Sequence, residues 1–171
     1  MFLFHDRILP LKQSKKLFTM RYWLMKSEPT DFSIDDLEKA PKQTIDWYGI
    51  RNYQARNFMR DDMSLGDLAF FYHSNCKTPG IVGIMTVSKL AYPDRLQFIK
   101  DHKYFDAKSP PDNPRWLNVD VKFVKKTKLL ELKDIRNYAE LKDMRILQRG
   151  NRLSITPVSP EEWHFIYSLI A

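Results

Sequence analysis

The chain of 171 residues has one cysteine, Cys76, which excludes an internal disulfide framework and leaves no cysteine set for a structural zinc site. A reducing compartment is the expectation. No window approaches the roughly 18 consecutive apolar residues that span a bilayer, so the sequence predicts a soluble, cytoplasmic protein with no membrane partner, nucleoid-associated in a bacterium or nuclear in a eukaryote. Glycine is scarce, at five residues. Neither G-x-G-x-x-G nor a phosphate-cradling Gly-rich loop occurs, which argues against a doubly wound nucleotide-binding fold. The four histidines, at positions 5, 73, 102 and 164, are scattered, so neither a metal nor a cofactor is expected. The N-terminal stretch also lacks the grammar of a secretory signal. Asp6, Arg7 and Pro10 interrupt its apolar part, and Lys15-Lys16 follow that part instead of preceding it.

Rings and positive charge are plentiful. Four Trp, eight Tyr and eleven Phe accompany 28 Lys+Arg against 21 Asp+Glu, for a net charge of +7. Hydrophobic residues make up 43 % and charged residues 29 %, which suits one packed domain and argues against wholesale disorder. A basic, ring-rich composition fits a protein that holds phosphates and stacks on bases. The charge is unevenly placed, however. Residues 1–19 carry Arg7, Lys12, Lys15 and Lys16 against Asp6, so they supply +3 and leave only +4 for residues 20–171. They read as an N-terminal tail, poorly ordered or an extended gene start, with the domain beginning near Met20.

From there, Arg21–Met25 reads as a half-buried strand. Ser33 with Asp36 three residues on resembles a capping box opening a helix that Pro41 ends near Ala40. A second helix is predicted over Asn52–Arg60. Leu68–His73 is an unbroken apolar run typical of buried strands, and Thr78-Pro79-Gly80 turns it into a hairpin with Ile81–Val87. Residues 106–114, with three prolines, predict a surface loop. Trp116–Lys126 alternates cleanly as a strand; its lysines 122, 125, 126 and 128 suit either phosphates or a charged sheet edge. Residues 131–147 read as a helix with Leu132, Ile135, Tyr138, Leu141 and Met144 on one stripe. Arg152–Thr156 reads as a last strand, and Pro160 opens a final helix burying Trp163, Ile166, Tyr167 and Ile170. Short strands among short helices define an α+β domain with a small curved sheet or barrel.

Several junctions set polar residues directly after rings, where sites collect. The string W-Y-G-I-R-N-Y-Q-A-R-N-F-M-R (Trp47–Arg60), then Gly66-Asp67, F-Y-H-S-N (Phe71–Asn75) and R-L-S-I-T-P-V-S (Arg152–Ser159), resembles the EVE domain family over about residues 20–171. The resemblance implies a PUA-like β pseudo-barrel of about six strands with surrounding helices, akin to YTH and ASCH domains. It further implies a pocket for a modified nucleobase, a modified cytosine or adenine in DNA or RNA, faced by Lys26-Ser27 and by Trp47–Asn52.

Reading one modified base requires lifting it from its stack, replacing the lost stacking with rings, and pairing its polar edge. Trp47 is the first candidate ring, with Tyr72 or Trp23 beside it. Ser27, Asn52 and Asn75 offer donors and acceptors to the base edge, and His73, Ser74 and Ser154 complete the polar set. Lys26, Arg51, Arg56 and Arg152 are candidates for the flanking phosphates. Competing readings exist for several of these. Trp23, Phe70, Phe71, Trp116 and Trp163 sit in stripes and suit the core, and Asn52 suits a helix cap. An enzyme is the alternative. Similarity to ASCH-type amidohydrolases would use Lys26 with Glu28 or Asp46, whereas a His73–Cys76 dyad is disfavoured because positions i and i+3 of a strand face opposite ways.

Overall fold

The computed structural model describes residues 19–171, so all of the predicted tail except Thr19 lies outside the described residues. At its centre, β1 (Tyr22–Ser27) and β3 (Leu68–His73) run parallel, Tyr22 opposite Leu68 and Ser27 opposite His73. Two long strands follow antiparallel, β4 (Gly80–Pro93) on β3 and β5 (Leu117–Glu131) on β4. The short β2 (Thr44–Asp46) borders β5, and β6 (Ile155–Val158) borders β1. The spatial order is β2-β5-β4-β3-β1-β6. The count matches the about six strands that the resemblance implies, β2 being one that no residue pattern predicted, in an open mixed sheet with helices around it.

Alternation along the central strands explains why both faces are covered. Trp23 and Met25 of β1 and Ala69 and Phe71 of β3 enter one core, with Met85, Val87, Val119 and Val121. Leu24, Phe70 and Tyr72 point the opposite way into a second core with Ile81, Ile84 and Leu130. An unbroken run such as Leu68–Tyr72 is what a strand buried on both faces needs. The first face is covered by α1 (Ile34–Lys39), whose Ser33–Asp36 capping box forms as expected, and by α2 (Tyr53–Asn57), which widens into a π turn over Phe58–Asp62. The second face is covered by α4 (Pro160–Ile170). Its Trp163 stacks between Tyr22 and Phe70, at ring-centroid distances of 4.6 and 4.0 Å.

Three expectations are corrected. Residues 131–147 form no continuous helix: only α3 (Leu132–Ile135) is α-helical, and single 3-10 turns occupy Ala139–Leu141 and Arg145–Leu147. The predicted stripe had a strict period of three. Such a stripe drifts around an α-helix of 3.6 residues per turn but stays eclipsed in 3-10 geometry. Ile135 is buried at the end of α3, and Leu141 and Met144 are buried without an α-helix. The last strand begins at Ile155 instead of Arg152. Tyr167 lies on the outer side of α4, 42 % exposed, beside Lys125. Beyond Lys122, β5 has no partner strand on its outer side among the described residues, and there Lys126 pairs with Asp35 and Glu38 of α1.

Candidate nucleobase pocket

The C-terminal ends of the parallel strands β1 and β3 open into a cleft of about 280 Å³, close to the lower end of ligand-site sizes (roughly 300 Å³). Three distant segments are stitched together at its base. The Lys26 N–H donates to the Ser154 carbonyl at 2.8 Å, and the Ser74 N–H donates to the Ser27 carbonyl at 3.0 Å. On one side the turn after β1 is closed by the Asp31 and Phe32 N–H groups donating to the Glu28 carbonyl, and by the Ser27 hydroxyl donating to the Phe32 carbonyl at 2.7 Å. On the other side the chain leaves β2 through Ile45 and Asp46 into Trp47, Tyr48 and Gly49. The Trp47 N–H donates to the Val119 carbonyl at 2.7 Å, fixing that wall to β5.

Rings and charges divide the lining. Phe32, Trp47, Tyr48 and Tyr104 give the pocket its apolar surfaces. Trp47 is only 6 % exposed and packs edge-on against Phe71, with centroids 5.3 Å apart, so it serves core and pocket together. Glu28, Asp31 and Asp46 supply acceptors, and Lys26 and Arg152 supply positive charge. Burial pushes the Lys26 ammonium below its usual range, and no carboxylate pairs with it among the described residues. Lys103 holds Asp31 at 2.7 Å, and burial together with Asp31 raises the Tyr48 phenol.

The Tyr104 wall is set by a buried network. Asp94, with no exposed surface, accepts from the Gly49 N–H at 3.1 Å, from Arg51 Nη1 at 2.8 Å and from the Leu96 N–H at 2.9 Å. Arg51 also donates to the Tyr104 carbonyl, at 2.6 Å from Nη2 and 3.0 Å from Nε, while its guanidinium lies 5.3 Å from the Tyr104 ring centroid. Gln97 is buried as well. Its amide donates to the Asp94 and Trp116 carbonyls and accepts from Ser109 and the Trp116 N–H. The proline-rich loop is thereby bolted to the body of the domain: residues 106–114 form the expected surface loop, and within it Ser109 alone is buried.

Six of the sequence candidates line this pocket: Lys26, Ser27, Trp47, Ser74, Arg152 and Ser154. The others lie elsewhere. Asn52 Oδ1 accepts from the Ala55 N–H at 3.1 Å and caps α2. His73 Nε2 accepts from the Ile34 N–H at 3.1 Å at the start of α1. Tyr72 belongs to the second core, where burial pushes its phenol up to about 12. Asn75 occupies a left-handed turn, at φ 49°, beside a neighbouring cleft. Arg51 is committed as described, and Arg56 is held by Asn57 Oδ1 and the Arg115 carbonyl. Trp23 is buried, its Nε1 donating to Asp67 at 2.9 Å. Sequence reasoning missed Asp31 and Tyr104. Tyr104 is a ring outside any periodic stripe, the same signal that singled out Trp47.

His73 carries a pH prediction. Burial lowers its folded pKa, against opposing contributions from Asp35 and Asp36 that raise it. The unfolded chain therefore takes up a proton more readily, near the ordinary histidine value of about 6.5. The stabilisation from neutral His73 is full above that value and is lost as pH falls below it toward the folded pKa. In His73→Gln the amide oxygen can accept from Ile34 without titrating. Denaturant midpoints compared at about pH 7.5 and about pH 5.5 are expected to fall less in that variant than in the parent; equal falls would remove His73 from the account.

An open six-stranded mixed sheet, helices on both faces and a pocket at the ends of its central parallel pair define a PUA-like domain. An ASCH protein from Zymomonas mobilis shares this fold alone, with a TM-score of 0.54 at 10 % identity over 88 % of this chain and 99 % of that one. Much nearer is mouse thymocyte nuclear protein 1, 49 % identical over 166 residues, 86 % of this chain and 73 % of that protein. The crystal structure of human THYN1 in complex with 5-methylcytosine-containing DNA superposes with a TM-score of 0.83 at 47 % identity, covering 87 % of this chain and 96 % of that one. The EVE domain model matches residues 21–169. The chain belongs to the EVE domain family.

Proposed function

We propose that this protein binds DNA carrying a modified base, a modified cytosine first, and seats that base in the pocket between Trp47, Tyr104 and the end of β1. The observation that carries the reading is the 47 % identical human protein in complex with 5-methylcytosine-containing DNA. The chemistry of the pocket supports it. A cytosine presents an amino donor, which a carboxylate such as Asp46 can accept, and a ring that aromatic faces can stack. Its 5-methyl group needs an apolar contact, and Phe32, Ile45 and Ile50 are in the lining. Lys26 supplies a partly desolvated donor for a carbonyl oxygen or a phosphate. The amidohydrolase alternative has less support, because Lys26 has no ion pair with Glu28 or Asp46 among the described residues.

The test is titration of short duplexes containing 5-methylcytosine, 5-hydroxymethylcytosine, methylated adenine or plain bases with the parent protein and with Lys26→Met. Preference for one modified base is expected in the parent, and at least about tenfold weaker binding in the variant, as befits loss of one charge-assisted bond. Thermal stability is expected to be unchanged or raised, because the variant removes a charge whose desolvation folding opposes. Equal affinity for every duplex would reject the reading.

A further inference from the structure

We infer that the segment Arg145–Arg152, together with Arg136, is a track for the phosphodiester backbone leading to the mouth of the base pocket. This rests on the reading that the pocket takes a base, and it moves the phosphate contacts away from Arg51 and Arg56, whose guanidinium groups are already committed inside the domain.

Charge is the first argument. Residues 145–152 read RILQRGNR, three arginines and no acid, in a domain whose residues 20–171 carry only +4. Pairing is the second. Arg21, Arg51, Arg60 and Arg115 each meet a carboxylate. Arg136, Arg145, Arg149 and Arg152 meet none among the described residues, and all but the half-buried Arg145 are exposed. Their positive charge is therefore available to a polyanion.

Placement is the third argument. Arg145, Arg149 and Arg152 line one cleft, and Arg136 and Arg149 line a second. Arg152 is shared between the first cleft and the base pocket, and Lys26 and Ser74 are shared between the second and the base pocket. The two arginine-lined clefts, neither of which contains an acid, thus adjoin the base pocket through shared residues. The turn that presents it is also fixed beforehand. Asn151 Nδ2 donates to the Arg145 carbonyl at 2.7 Å, and Asn151 Oδ1 accepts from the Leu153 N–H at 3.0 Å. Among the described residues nothing lies within 4 Å of where a Cβ of Gly150, at φ +78°, would stand, so a strand can approach the bare backbone there. A pre-set turn spares ordering cost on binding. Phosphate contacts of this kind set register and affinity and leave base preference to the pocket.

The experiment measures affinity against salt concentration for the parent, Arg145→Gln/Arg149→Gln and the charge-keeping Arg145→Lys/Arg149→Lys. Each is titrated with 5-methylcytosine-containing duplex DNA, the unmodified duplex, and RNA of the same sequence. Removing two phosphate contacts lowers the slope of log K against log salt by about 1.8 for duplex DNA. Between 50 and 200 mM salt, the parent should therefore lose about twelvefold more affinity than the Gln variant. The Lys variant should keep the parent slope, and the ratio of modified to unmodified affinity should be unchanged in all three proteins. A reduced slope on either polymer supports the track and shows which polymer it follows. A Gln variant with the parent slope overturns the track alone. A parent without base preference, together with a reduced slope in the Gln variant, overturns the pocket reading and leaves the track standing.

Discussion

Replacing Asp94 by alanine is expected to cost about 3–5 kcal/mol, the usual penalty for breaking a buried ion pair by removing one partner. Asp94 is fully buried, and the Arg51 side chain is 21 % exposed. The substitution would strand that guanidinium and leave the Gly49 and Leu96 N–H groups without their acceptor. For a domain of this size the loss corresponds to a melting temperature lowered by roughly 10 °C. Asp94→Asn keeps one acceptor oxygen and should recover part of it. Thermal unfolding of the three proteins checks this, and a melting temperature within about 2 °C of the parent in Asp94→Ala would show that the network contributes little.

Gly49→Ala is the second large effect, and it acts on binding more than on folding. Gly49 adopts φ +80°, where side chains are strained by about 1–3 kcal/mol. A Cβ there would stand 2.5 Å from Tyr104 Cζ and 2.6 Å from Cε2, so the ring that forms the outer wall of the pocket must move. Stacking of a base on one ring is worth about 1–3 kcal/mol, so displacement of Tyr104 predicts binding to modified-base DNA weakened by about five- to 150-fold. Gly49→Ala/Tyr104→Ala separates the two consequences. Removing the ring relieves the contact and should restore part of the stability while leaving binding weak. Parent-like affinity in Gly49→Ala would mean that Tyr104 does not touch the base.

The central strands were legible because alternation and burial leave a direct mark on composition: Leu68–His73 could be little else. β2 was not legible, since Thr44–Asp46 is three residues held by pairing with Lys122, Val121 and Asp120, a partner some 75 residues distant. The run from Leu132 to Met144 misled because apolar residues every third position satisfy an α-helical stripe only loosely. In the pocket, motifs at strand ends pointed to Lys26, Ser27, Trp47, Ser74, Arg152 and Ser154. The polar residues beside them have partners elsewhere, of which the sequence offered only the helix-cap role of Asn52. Asn52 and His73 satisfy N–H groups at the starts of helices, and Arg51 satisfies Asp94, 43 residues away. A side chain's chemistry shows what it can bond, and only tertiary structure shows what has already claimed it.

The bonds from Lys26 to Ser154 and from Ser74 to Ser27 impose an order on assembly. The pocket floor draws on positions near the two ends of the domain and one near its middle. Closing such long loops comes late, because their entropy must be met before the contacts repay it. A chain emerging from the ribosome can form the β3–β4 hairpin early, but the cleft stays incomplete until β6 has docked on β1. If the cleft takes a base as proposed, recognition is withheld from every incomplete version of this domain.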